Sequence, residues 1–120
     1  MKLLLVEDNA LNQKLMILSL RKLDIVPDIA EDGEEAVEKS STSQYDYILM
    51  DVMMPVMDGY QATKAIRKQE SLSGQRSYII GLTSNVYDSD RQKCLEAGMD
   101  DYMSKPFDIN VFSNIINSRK

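Results

Sequence analysis

The chain of 120 residues contains no histidine and a single cysteine, Cys94. Without histidine there is no Ser/His or Cys/His nucleophilic dyad, and a zinc site loses its usual nitrogen ligand. One cysteine forms no internal disulfide and fits a reducing compartment, so a cytoplasmic location is expected. No apolar run approaches the roughly 20 residues that span a bilayer. The opening Met1-Lys2-Leu3-Leu4-Leu5-Val6 runs straight into Glu7-Asp8 rather than a small-residue cleavage site, so it does not read as a signal peptide. Positive charge is short as well: 14 Lys and Arg stand against 19 Asp and Glu, a net charge of -5, which leaves no basic stripe for nucleic acid. Any bound metal is then held by oxygen, which points to Mg²⁺, Ca²⁺ or Mn²⁺.

With 43% hydrophobic and 28% charged residues, the composition suits one soluble domain, residues 1–120, around one core. Short apolar runs alternate with helical patterns. Residues 2–6 read as a buried strand, and Asn9 caps a helix from about Ala10 to Leu23, with Leu11, Leu15 and Leu18 on one face. Residues 25–30 form a weaker strand, placed at an edge by Pro27. Glu31-Asp32-Gly33 leads into a helix over about Glu34–Lys39, ended by Ser40-Ser41-Thr42-Ser43. Residues 46–50 are the third strand, and Asp58 caps a helix over about Tyr60–Lys68. Gln69 to Ser77 is expected to be the longest loop. Tyr78–Leu82 is the fourth strand, followed by a helix through Cys94, Leu95 and Ala97 that stops at Gly98. Tyr102 and Met103 form a short fifth strand, and Ile109 to Asn117 a last helix. Five β-α units in strict alternation imply a parallel sheet with right-handed crossovers and helices on both faces.

In such a sheet the residues just past the strands share one edge, where ligands bind. The first strand delivers Glu7 and Asp8, the third Asp51, the fourth Thr83 and the fifth Lys105. Three carboxylates in one crevice are unfavourable alone: a pair about 4 Å apart repels by roughly 4 kcal/mol at an effective dielectric near 20. A hard cation such as Mg²⁺ relieves this. Metal, ammonium and hydroxyl around a carboxylate nucleophile then form a set suited to phosphoryl transfer. The remaining acids have blander readings: Asp58 as a helix cap, and Asp46, Asp100 and Asp101 as solvated turn residues. Cys94 reads as structural, and the eight methionines as core filler.

Four segments, Leu4-Leu5-Val6-Glu7-Asp8-Asn9, Met50-Asp51-Val52-Met53-Met54-Pro55-Val56-Met57-Asp58-Gly59, Leu82-Thr83-Ser84 and Lys105-Pro106, resemble in order the motifs of the receiver domains of two-component response regulators. The resemblance covers the whole chain. It implies a flavodoxin-like (βα)5 fold, a doubly wound five-stranded parallel sheet in the order 2-1-3-4-5. It implies that Asp51 is the phosphoacceptor and that Asp8, Asp51 and the Met53 backbone carbonyl ligate Mg²⁺, with Mn²⁺ as the alternative ion and Glu7 acting through a water. Lys105 and Thr83 would bind the phosphoryl group, Thr83 and Tyr102 would form the switch, and the bond to Pro106 would be cis. The donor would be a histidine kinase or a His-containing phosphotransfer domain, and the output partner would use the helix 4–strand 5–helix 5 face. Neither nucleic acid nor membrane is expected as a partner. Asn9 with Asn12-Gln13 resembles receivers attached to hybrid sensor kinases.

Two departures bear on kinetics. Glu7 stands where many members have Asp, one methylene longer. Met53, apolar and two residues past Asp51, is expected to shield an acyl phosphate and lengthen its life, whereas Asn85 would orient a water and shorten it. The competing classes are a Mg²⁺-dependent phosphatase with an aspartyl-phosphate intermediate, a flavin carrier, and an interaction-only module that has lost phosphorylation. The first wants Asp-x-Asp after the first strand, where Asp8-Asn9-Ala10 stands. The second wants a hydroxyl-rich phosphate loop where Glu7-Asp8 would repel phosphate. A receiver is a switch rather than an enzyme with its own substrate, although it promotes its own phosphorylation and dephosphorylation.

Overall fold

The aliphatic side chains of the inner strands alternate between two cores, and this alternation fixes the layering. In the computed structural model, which describes residues 1–54, 57–84 and 88–119 (backbone alone for 88–90), β1 (Leu3–Val6), β3 (Tyr47–Asp51) and β4 (Tyr78–Thr83) are buried almost throughout. β2 (Asp28–Ala30) and β5 (Asp101–Ser104) are the short edges of one parallel sheet in the order β2-β1-β3-β4-β5. Leu4, Val6, Ile48, Met50 and Ile79 face α2 (Gly33–Thr42), α3 (Gly59–Ser73) and α4 (Asp88–Ala97) through Ala36, Ala62, Ile66 and Cys94. Leu3, Leu5, Leu49, Ile80 and Leu82 face α1 (Ala10–Arg21) and α5 (Ile109–Ser118) through Met16, Leu20, Phe112 and Ile116. The parallel sheet with helices on both faces expected from the alternation is found, in the strand order that the resemblance implied.

Helix starts follow the local chemistry. The side chains of Asn9, Asp32 and Asp108 accept backbone N–H groups at the starts of α1, α2 and α5, and Asp58 forms a reciprocal capping box with Gln61. Helix ends do not. α2 runs through Ser40 and Ser41 to Thr42, because the hydroxyls of all three turn back onto the carbonyls of Val37, Glu38 and Lys39. α3 continues to Ser73, where Gly74 at φ 78° terminates it, so the expected long loop shrinks to residues 74–77. β2 is shorter than expected and begins only after Pro27.

Two further expectations are corrected. Leu11, Leu15 and Leu18 are 64%, 54% and 57% exposed, and α1 packs instead through Met16 and Leu20 on its opposite side. Asp100 is not a solvated turn residue. Its carboxylate lies 2.6 Å from Arg67 Nη2 and 2.6 Å from Arg76 Nη2, and it accepts the Ile79 N–H at 2.9 Å. Arg67 also donates to the carbonyls of Gly98 and Ser77 and pairs with Glu70, tying α3 to both ends of the α4–β5 connection.

Candidate functional site

Single backbone hydrogen bonds extend the sheet by one residue at its C-terminal edge and thereby place the functional side chains. Glu7 N–H donates to Ala30 O at 3.0 Å, Val52 N–H to Leu82 O at 3.1 Å, and Lys105 N–H to Thr83 O at 2.8 Å. Glu7, Asp51, Thr83 and Lys105 are thereby held by four adjacent strands at one edge.

Ligand oxygens of Glu7, Asp8 and Asp51 lie within 4.8 Å of one another. Asp51 is 1% exposed. One of its oxygens, Oδ1, receives Lys105 Nζ at 2.8 Å and the Met53 N–H at 3.1 Å. Glu7, 2% exposed, has Oε1 bonded by Asn12 Nδ2 at 2.7 Å and Oε2 by the Asp8 N–H at 3.1 Å. Burial, and then contact with the Asp51 carboxylate, push the Glu7 carboxyl from 4.5 up to about 7, against the opposing pull of Asn12 and Lys105. Among the described residues, three carboxylates face one ammonium in this pocket, so its negative charge is only partly offset. Its all-oxygen donor set suits a hard divalent cation.

Thr83 ends β4 and is buried. Tyr102, on β5, is half-buried against the α2–α4 core, with the Arg91 guanidinium 5.9 Å from its ring centroid. The Lys105–Pro106 peptide is cis. Met53 is 71% exposed at the rim of the pocket. Asn85 lies outside the described residues.

The sequence reading passed over the residues that hold Glu7. Asn12 grips its carboxylate, and Gln13 Nε2 donates to its carbonyl at 2.6 Å. The available signal was their place one turn into a helix that starts immediately after the acids, which returns both side chains to the strand end. Gly59 is a second omission. A Cβ there would lie 2.4 Å from the Asp51 carbonyl oxygen, so α3 starts hard against the acid-bearing strand only because this position carries no side chain.

A doubly wound parallel sheet with three carboxylates and a lysine at its C-terminal edge defines an α/β domain whose ligand crevice suits a hard divalent cation. The chain belongs to the response regulator receiver domain family, whose model matches residues 3–117, and it is thus a receiver domain of two-component and phosphorelay signalling. It is 41% identical over 98% of its length to hybrid signal transduction histidine kinase G of Dictyostelium discoideum and 39% identical over 90% to probable histidine kinase 2 of Oryza sativa subsp. indica. It spans only 3% and 12% of those two proteins. Among solved structures it resembles the receiver domain of the sensor histidine kinase PA1611 from Pseudomonas aeruginosa (44% identity, TM-score 0.86, 98% of this chain and 94% of that one), which holds a magnesium ion in its active-site cleft. It also resembles a structure of the Saccharomyces cerevisiae histidine phosphotransfer protein Ypd1 with the receiver domain of its response regulator Ssk1 (33% identity, TM-score 0.90, 98% of this chain and 86% of that one).

Proposed function

We propose that residues 1–120 act as one receiver whose Asp51 takes a phosphoryl group from a phosphohistidine on a partner, a histidine kinase or a His-containing phosphotransfer domain. The observation that carries this reading is the Lys105–Asp51 contact inside the three-acid pocket. An Asp51 oxygen attacks phosphorus, the P–O bond forms as the N–P bond of phosphohistidine breaks, and the departing imidazole nitrogen takes up a proton. Lys105, already on Asp51 Oδ1, is placed to follow the incoming negative charge onto the phosphoryl oxygens, and Thr83 supplies a hydroxyl from the next strand. Glu7, Asp8, Asp51 and the Met53 carbonyl would hold Mg²⁺, or Mn²⁺ in its place. When bound, the ion neutralises the carboxylates and the transferring oxygens.

Phosphorylation adds about -1.5 to -2 charges at the strand ends. Thr83 and Tyr102 respond and bias the α4–β5–α5 face toward an output partner in the cytoplasm. Exposed Met53 shields the acyl phosphate from water, and Asn85 works against it. The domain promotes its own loading and decay but turns over no separate substrate. The test is loading from a phosphorylated His-containing donor: wild type gains acid- and base-labile phosphate and Asp51→Asn gains none. Equal labelling of the variant would show that the acceptor is another residue.

A further inference from the structure

At the edge of the sheet opposite the acceptor pocket, where β3 and β4 begin, the C-terminal ends of α2 and α3 enclose a mainly polar cleft of about 360 Å³. Buried Ile48 and Tyr45 supply its apolar part, and hydroxyls line the rest. Those hydroxyls have already donated their protons inside the protein. Ser40, Ser41 and Thr42 donate to the carbonyls of Val37, Glu38 and Lys39, Ser73 to the Glu70 carbonyl, and Ser77 to the Glu70 carboxylate. A hydroxyl has one proton and two lone pairs, so each of the five now offers the cleft only an acceptor. Glu70 adds its carboxylate, and both helices turn their negative ends this way, each equivalent to about half a charge. Among the described residues that line the cleft none is a lysine or arginine. Lys39, in the last turn of α2, is held by Glu35 and the Ile29 carbonyl, and the last turn of α3 has no base. Lys2 rests over the Tyr45 ring, and Arg67 pairs with Glu70 while its remaining donors go to Gly98, Ser77 and Asp100.

We infer that this cleft binds an aliphatic diamine or polyamine, whose ammonium groups take the hydroxyl and Glu70 oxygens while its methylene chain lies on Ile48 and Tyr45. The donor–acceptor balance selects this ligand. An ammonium brings three donors and no acceptor, which is what a wall of acceptors lacks. A neutral polyol needs donors as well as acceptors from its site, and an anion is repelled by Glu70 and by the helix ends. A hydrated metal ion would leave the Ile48–Tyr45 surface uncovered. The site is independent of the receiver reading, since Ile48 precedes Asp51 by three residues, about 10 Å along β3, and the cleft opens at the other edge of the sheet.

Backbone amide NMR shifts of the wild-type chain are followed as putrescine, spermidine, butylamine or sorbitol is added. The salt is held at about 0.15 M, where exposed charges more than about 8 Å apart are screened. Putrescine and spermidine should give saturable shifts at residues 40–45 and 73–77. Butylamine, which lacks the second ammonium, should bind about tenfold more weakly or worse, and sorbitol should leave the spectrum unchanged. Two variants follow. Glu70→Gln removes the carboxylate and should weaken putrescine about tenfold, but it also disturbs Arg67. Thr42→Lys changes an exposed side chain, so the fold is kept, and puts an ammonium of the protein's own at the cleft. It should weaken both amines about tenfold or more. Undiminished binding by Thr42→Lys overturns the site. So does equal binding of butylamine or sorbitol at these residues, and so do shifts that never saturate or that gather on the acidic stretch 31–38 instead.

Discussion

The raised carboxyl of Glu7 makes the metal-free protein lose stability as pH rises. Unfolded, the group ionises near 4.5, and folded, near 7, so between these values the native state binds the extra proton. Stability therefore falls with increasing pH across that window and levels off above about 7. At 1.36 kcal/mol per pH unit the shift corresponds to a loss on the order of 3 kcal/mol, a large part of the stability of a small domain. The test is urea unfolding in EDTA from pH 5 to pH 8 for the wild type and for Glu7→Gln. Glutamine keeps the Asn12 contact through its Oε1 and cannot ionise. The two chains should be similar in stability at pH 5, and the variant should be the more stable at pH 8. Parallel curves would refute the assignment of the slope to Glu7, and a wild-type curve that rises over this range would refute the sign.

Mg²⁺ at about a hundredfold its dissociation constant should raise stability by about 2.7 kcal/mol, read as a shift in the urea midpoint, and Asp8→Ala should abolish most of that gain. Gly59→Ala forces a Cβ to within 2.4 Å of backbone that cannot yield, and should cost about 1–3 kcal/mol in unfolding free energy while weakening Mg²⁺ affinity. Arg67→Ala leaves the Glu70 carboxylate without its cation and Asp100 with only the exposed Arg76, and should cost about 2–3 kcal/mol, well above an ordinary surface substitution. Met53→Asn opens the pocket rim to an ordered water, so the phosphorylated variant should lose its label faster than wild type in Mg²⁺ buffer. Wild-type decay within seconds would show that Met53 shields nothing.

The acidic pocket was legible in the sequence because parallel β-α topology converts order along the chain into adjacency in space. Once five strands are placed, the residues that follow them have nowhere to go but one edge. The helix starts at Asn9, Asp32 and Asp58 were legible for a similar reason, since a cap involves four consecutive residues and no tertiary partner. Helix ends and turn acids were not. Whether Ser40 and Ser41 end α2 depends on whether their hydroxyls bond helix carbonyls or compete with them, and both patterns are written with the same letters. Asp100 looks like any turn residue until Arg67, 33 positions earlier, is brought against it.

α1 exposes the limit of periodicity most clearly. At about 100° per residue, Leu11, Leu15 and Leu18 form one stripe, while Met16, Leu20 and Leu23 form another on roughly the opposite side. The sequence contains both, and the first reads as the stronger because it is all leucine. The second wins the core because Asn12 and Gln13 must reach Glu7, and those two bonds set the helix's rotation about its axis. With that rotation set, Met16 and Leu20 point at Leu3, Leu5 and Phe112, and the leucine stripe turns to solvent. The contacts that place the Glu7 carboxylate therefore also decide which face of α1 is left outward. Breaking them by Asn12→Ala/Gln13→Ala should loosen the orientation of the whole helix as well as the grip on Glu7, and hydrogen exchange along residues 10–21 should rise well beyond the first turn. Exchange confined to that first turn would show that the core, not the acid pocket, orients α1.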